Sequence, residues 1–141
     1  MKHLIVLFFA LFSLTAFAHV DFLVGNYKNS TSEARVIKEL VKPADLFEPA
    51  VYSYFLELQT DKYSIGIEKE LAVSADGESL SVSTDYECDD PGCTYYTDIR
   101  INVFKKAGKP VLEAYFFGYQ YDEDGREDKE IEGTLKLNKV K

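Results

Sequence analysis

Apolar and polar residues alternate with a period of two along most of this chain, which is the repeat of a β-strand. Segments rich in Val, Ile, Tyr, Phe and Thr are separated by short turn sequences that contain Asp-Gly, Ala-Gly or Pro-Gly pairs. The predicted strands are residues 51–59, 63–73, 78–87, 94–104, 110–121 and 127–138, after a first apolar stretch at residues 22–27. Because connections this short cannot hold a parallel crossover, we predict an antiparallel up-and-down meander.

The fold class that follows is all-β, with seven to eight strands forming a small barrel and a β-sandwich as the alternative. Residues 31–42 decide the strand count. Ser30 and Glu33 have the spacing of a capping box, apolar residues at 36, 37, 40 and 41 share one helical face, and Pro43 ends the run. These features favour a short helix, whereas a strand here would raise the count to eight. The strand 110–121 differs from the others because it is apolar on both faces.

The N-terminus predicts export. Residues 1–18 have a basic start, a short apolar run and an Ala-Phe-Ala end, which are the features of a signal peptide. We therefore expect one β-barrel-like domain over residues 19–141, in the periplasm or outside the cell, and no membrane span. Without Lys2, 15 Lys and Arg stand against 24 Asp and Glu, a net charge of −9. This acidic balance argues against a nucleic-acid partner.

The two cysteines, Cys88 and Cys93, flank Asp-Asp-Pro-Gly between two predicted strands. An exported chain with an even cysteine count and this hairpin geometry predicts a disulfide bond. The same hairpin register would place Tyr86 opposite Tyr95.

The sequence contains few of the residue patterns that catalytic and metal-binding sites require. His19 would be the only histidine of the mature chain. A copper site normally needs a second histidine, and a terminal histidine is not placed for a Ser-His-Asp or Cys-His site. The acidic segment 122–130 lacks the ligand pattern of an EF-hand and is interpreted as a hairpin tip. We therefore predict no enzyme activity, no metal and no cofactor.

Tyrosines provide the candidate binding residues, because a barrel lined with phenols suits a small amphipathic ligand. The candidate ligand-lining residues are Tyr63, Tyr86, Tyr95 and Tyr115. The doubly apolar strand 110–121 offers an alternative, a protein-contact surface at Phe116, Phe117 and Tyr119.

The plan of the chain resembles the lipocalin-like, or calycin, β-barrels. The first predicted strand ends in Gly-Asn-Tyr at 25–27, where Tyr27 stands for the tryptophan of that family's Gly-x-Trp motif, and Thr-Asp-Tyr at 84–86 resembles a second motif. The resemblance implies a barrel that binds a small hydrophobic molecule. Two functions are therefore expected from the sequence: an exported, non-catalytic carrier of a small apolar or amphipathic ligand, or an exported interaction or inhibitor domain that uses strand 110–121 and the acidic hairpin tips.

Overall fold

The computed structural model describes residues 20–88, 90–124 and 126–141, and it is an eight-stranded antiparallel β-barrel. The predicted signal peptide and His19 lie outside these residues. A single 3₁₀ turn, Asp21–Leu23, precedes the strands. The strands are β1 (Gly25–Lys28), β2 (Ser32–Lys42), β3 (Val51–Thr60), β4 (Ile65–Val73), β5 (Leu80–Tyr86), β6 (Thr94–Lys106), β7 (Lys109–Tyr121) and β8 (Glu127–Lys139).

Each strand pairs with the next one along the chain, and β1 closes the barrel by pairing with β8 at Tyr27 and Lys28. The predicted all-β class, the antiparallel meander and the barrel are confirmed, and six of the predicted strands correspond to β3–β8. An eight-stranded antiparallel barrel is compatible with a calycin-like plan. Among the described residues, no helix has the length and apolar character that crossing a membrane requires.

The helix predicted over residues 31–42 is wrong, because this segment forms strand β2. Its first half alternates as a strand should, with the side chains of Ser32, Ala34 and Val36 buried inside the barrel. The small polar Ser32 fits inside because its hydroxyl donates a hydrogen bond to Thr60 Oγ1 at 2.8 Å. The apolar residues that suggested a helical face at the end of the segment lie instead on a projecting hairpin.

The N-terminal segment plugs one end of the barrel, which we call the plugged end. Val20 and Leu23 are fully buried there, and the Tyr27 hydroxyl donates a hydrogen bond to the Leu23 carbonyl at 2.6 Å. Asp21 receives hydrogen bonds from Lys38 Nζ at 2.8 Å and from the Tyr54 hydroxyl at 2.7 Å. Although partial burial opposes ionisation, these two bonds prevail and lower the pKa of Asp21.

Aromatic side chains fill the opposite end, which we call the disulfide end. The rings of Tyr63 and Phe116 are stacked with their centroids 4.3 Å apart, and Tyr96 meets both rings edge-on. Gly133 leaves the space that the Tyr63 hydroxyl occupies, since an added Cβ would lie 2.0 Å from that oxygen. The interior is therefore packed with side chains at both ends.

The Cys88–Cys93 disulfide is present, with the two Cα atoms 6.3 Å apart. The hairpin register predicted around it is wrong, because Tyr86 lies opposite Tyr96 rather than Tyr95. The one-residue offset therefore arises between the disulfide turn and this pair. Beyond the pair, a bulge between Tyr96 and Asp98 adds a residue to β6, so that Tyr96 projects into the barrel and Tyr95 projects outward.

Gly118 makes room for this bulge, and substituting alanine there should destabilise the protein. A Cβ on Gly118 would lie 2.0 Å from the Tyr95 carbonyl oxygen and 2.7 Å from the Tyr96 Cα, both of them backbone atoms. Since backbone cannot rotate away, we expect Gly118→Ala to lower the free energy of unfolding by about 1–3 kcal/mol in urea denaturation. Gly108→Ala is the control for added bulk: Gly108 has open space around it, although its positive φ of 79° carries a strain cost of about 1 kcal/mol. A Gly118→Ala protein as stable as wild type would contradict this account of the bulge.

Candidate functional site

The structure divides the predicted ligand-lining tyrosines between the two faces of the barrel. Tyr63 is 7% exposed and belongs to the core, and Tyr86 is half-buried and packs against it. Tyr95 and Tyr115 are on the outer face, where they cannot line the interior. The interior tyrosines that the sequence did not single out for lining are Tyr27, Tyr54 and Tyr96.

The buried phenols are bonded within the protein and fill the space that a ligand would need. Tyr63 donates to the Thr134 carbonyl at 3.3 Å, and Tyr96 donates to the Tyr63 carbonyl at 3.0 Å. Among the described residues, no buried side-chain nitrogen or oxygen lacks a hydrogen-bond partner. The barrel interior thus has the properties of a packed core rather than of a polar binding cavity.

The outer face of β7 carries a row of aromatic side chains, which we call the aromatic stripe. It consists of Tyr115, Phe117, Tyr119 and Tyr121, together with Tyr95 of β6, all of them half-buried. Tyr95 stacks on Tyr121 at 4.8 Å and lies 5.6 Å from Tyr119, and Phe117 meets Tyr119 edge-on at 5.5 Å. This row confirms that strand 110–121 is apolar on both faces.

Charged side chains border the stripe on both sides. On the β6 side the Arg100 guanidinium lies 5.0 Å from the centre of the Tyr115 ring and pairs with Asp98. On the β8 side Glu132 accepts a hydrogen bond from the Tyr115 hydroxyl at 3.0 Å. This bond raises the pKa of Tyr115. Protein–protein interfaces commonly have aromatic residues at their centre and polar or charged residues at their rim.

Of the three predicted contact residues, Phe117 and Tyr119 lie in the stripe, but Phe116 does not. Phe116 is 0% exposed and projects inward between Tyr63 and Tyr96. Placing it on the surface is wrong, because neighbouring residues of a strand project to opposite faces and only one face of β7 is outside.

A second apolar surface, missed in the sequence, is the hairpin that joins β2 to β3. Leu46 is 95% exposed and Phe47 is 93% exposed at its tip. We call residues 40–52 the apolar arm. Its exposed apolar side chains are Leu40, Val41, Leu46, Phe47, Val51 and Tyr52. Exposed apolar side chains grouped in this way mark an interaction site far more often than isolated ones do.

Local hydrogen bonds hold the tip of the arm in one conformation. The Asp45 carboxylate accepts bonds from the backbone N–H groups of Phe47 at 2.8 Å and Glu48 at 2.7 Å, which lower its pKa. Lys42 pairs with Glu48 across the base of the turn. Pro43 and Pro49 restrict the backbone on both sides. Because the turn is already ordered, the arm loses less conformational entropy when a partner binds it.

One sequence signal could have revealed the arm. Leu46 and Phe47 lie between two prolines, in a segment whose apolar residues neither alternate nor have helical spacing. The pattern therefore predicts neither a strand nor a helix at these residues. Large apolar residues without a place in the core are candidates for contact with another molecule.

Two shallow grooves lie on the outer face of β1–β4. The larger, of about 730 Å³, is lined by charged and polar side chains that include Lys28, Glu33, Arg35, Glu57 and Glu68. The smaller, of about 300 Å³, has Ile37 and Phe55 at its centre with four glutamates around them. No cluster of three or more His, Cys, Asp or Glu in the described part of the chain could hold a metal ion.

Comparison of the chain with family models, with curated proteins and with solved structures gave no match in any of the three. Its function must therefore be argued from its own surfaces.

Proposed function

We propose that this protein is an exported, non-catalytic binding protein whose target is another protein. The apolar arm makes the central contact, and the aromatic stripe provides a further contact surface. The observation that carries the proposal is the exposure of Leu46 and Phe47, 95% and 93%, in a turn that Asp45 holds in place. Leaving two large apolar side chains in water has a cost of about 1.5–3 kcal/mol each relative to burial.

The packing of the interior supports the same proposal. A carrier of a small apolar ligand needs internal space, whereas Tyr63, Tyr96 and Phe116 occupy the disulfide end and the N-terminal segment occupies the plugged end. The remaining apolar surface lies outside the barrel. Export is consistent with the Cys88–Cys93 disulfide, since such bonds persist in oxidising compartments.

Site-specific photo-crosslinking in the native compartment tests the proposal. A photoreactive phenylalanine analogue would replace Phe47 in one variant, Tyr119 in a second and the exposed Asn102 of β6 in a control. We expect one discrete covalent partner at position 47 and none at 102, and a product at 119 would show that the stripe is a separate contact surface. Adding Leu46→Ser to the position-47 variant should abolish the product while the melting temperature stays unchanged.

Native mass spectrometry of the same preparation distinguishes the competing function. A bound small molecule released on unfolding, together with no position-specific crosslink, would replace the protein-binding proposal with that of a ligand carrier. Equal crosslinking at positions 47, 119 and 102 would also contradict the proposal, because it would indicate random encounter.

A further inference from the structure

The barrel wall is incompletely hydrogen-bonded between β4 and β5. These strands pair only at Ala72 with Ser81 and at Val73 with Leu80, beside the turn that joins them. Towards the disulfide end, residues 65–71 of β4 and 82–86 of β5 have no strand partner on their facing edges among residues 20–88, 90–124 and 126–141. We call this opening the seam. Its far end is closed where the Tyr96 hydroxyl bonds to the Tyr63 carbonyl at 3.0 Å.

Water reaches the inner side of β4 through the seam. Lys69 lies directly opposite Leu56, which is fully buried in the core, so both side chains project to the inner face. Lys69 is nevertheless exposed.

The seam has an apolar floor and acidic borders. The floor consists of the buried Ile65 and Ile67 of β4 and the half-buried Val82 and Tyr86 of β5, with the inward-facing Lys69 next to Ile67 on the same face. The outward-facing neighbours are exposed carboxylates: Glu68 and Glu70 on β4, Asp85 on β5 and Glu87 directly after it. None of these four takes part in an ion pair found among the described residues.

Carboxylates outnumber basic groups on the outer face of β3 and β4, where Lys69 and Arg35 are the neighbouring cations. Glu68 lies directly opposite Glu57 of β3, an arrangement that destabilises an antiparallel pair. The smaller outer groove extends from there to the edge of the seam and includes Glu39 and Glu70. Cationic groups bound along this edge would relieve the repulsion.

We propose that the seam is a second binding site, which accepts an extended segment of a partner polypeptide as an added strand on β4. The segment alternates apolar with basic residues. Its apolar side chains face Ile67, Val82 and Tyr86, and its basic side chains face the carboxylates at 68, 70, 85 and 87. Strand addition would satisfy the free edge of β4, and the period of two would give the specificity. This site is separate from the apolar arm.

Binding of a synthetic peptide to the folded protein tests the inference. The probe is a fluorescently labelled peptide of alternating Val and Lys, as long as the segment 65–71, measured by polarisation at low salt. A control peptide of the same composition has its Val and Lys in two blocks. A second control is the alternating peptide with N-methylated backbone amides, which keeps the charge but cannot donate to the β4 edge. We expect each control peptide to bind at least about tenfold more weakly.

A charge-matched pair of variants locates the site. Glu68→Lys with Glu70→Lys should weaken the alternating peptide by about tenfold or more. Glu123→Lys with Asp124→Lys makes the same change in net charge at the β7–β8 turn and should have a much smaller effect. Hydrogen exchange at residues 66–70 should slow when the peptide binds, because backbone amides of β4 then acquire partners.

Three results would overturn the inference: no measurable binding, equal binding of the N-methylated peptide, or equal weakening by the two charge variants. The outcome is independent of the proposed function. A Leu46→Ser, Phe47→Ser variant should bind the peptide as wild type does, whereas the seam variants should retain the crosslink at position 47.

Discussion

Replacing Phe116 by alanine is expected to lower the free energy of unfolding by about 3–5 kcal/mol. The side chain is fully buried and stacks on Tyr63 with the ring centroids 4.3 Å apart, while Tyr96 meets it edge-on at 5.5 Å. Alanine would leave a cavity beneath two rings that hydrogen bonds hold in place, so the site cannot collapse to fill it. Urea denaturation followed by circular dichroism measures the loss.

The neighbouring residue is the matched control. Phe117 projects outward, and its ring meets that of Tyr119 with the centroids 5.5 Å apart. We expect Phe117→Ala to cost about 1 kcal/mol or less. Similar losses for the two variants would mean that both faces of β7 are covered in the folded protein. That result would remove the aromatic stripe as an available contact surface and would leave the apolar arm and the seam as the proposed ones.

The strands that the sequence predicted well are those whose two faces differ. In most of β3–β8 the inner residues are apolar, the outer ones are polar and turn residues mark the ends, so local chemistry and burial agree. In β4, for example, Ile65 and Ile67 are buried whereas Glu68 and Glu70 are exposed. β7 is the exception, because its outer face carries the aromatic stripe. The meander follows from the short connections alone.

The segment 31–42 was mispredicted because its inward positions are not all apolar. Ser32 can be buried because it forms a hydrogen bond with Thr60. Lys38 forms an ion pair with Asp21 at the plugged end. Both partners are distant in sequence. The apolar Leu40 and Val41 belong to the arm, which has no inner face. A local pattern could not reveal any of these three facts, since each depends on the tertiary structure.

The candidate site was predictable only in part. Alternation along residues 110–121 correctly indicated two apolar faces, but it could not decide which face was inside. The bulge that exchanges Tyr95 for Tyr96 is set by the fit of the β6 backbone against Gly118. The apolar arm is recognised by the exposure of its side chains, and the seam by the strand pairs that are missing between β4 and β5. They become visible only when the barrel is assembled.

Alkaline pH is expected to unfold this protein steeply. Burial raises the pKa of Tyr96 to about 12, and it also raises the pKa values of Tyr27 and Tyr54, with the Asp21 carboxylate adding to the effect on Tyr54. In the unfolded chain all three ionise near pH 10. Above that pH the unfolded state loses protons that the folded state keeps. The stabilisation is therefore complete below about pH 10 and is lost as the pH rises through the folded pKa values.

Each of these tyrosines should lower the free energy of unfolding by about 1.4 kcal/mol per pH unit in that range, and the three together by about 4 kcal/mol. The part of the tyrosinate absorbance that comes from these three buried phenols should therefore rise together with the loss of structure seen by circular dichroism. Tyr54→Phe should reduce the slope by about one third. If these three tyrosines ionised gradually while the barrel stayed folded, water would have access to their phenols inside the barrel. The argument that the interior is too well packed for a ligand would then be wrong.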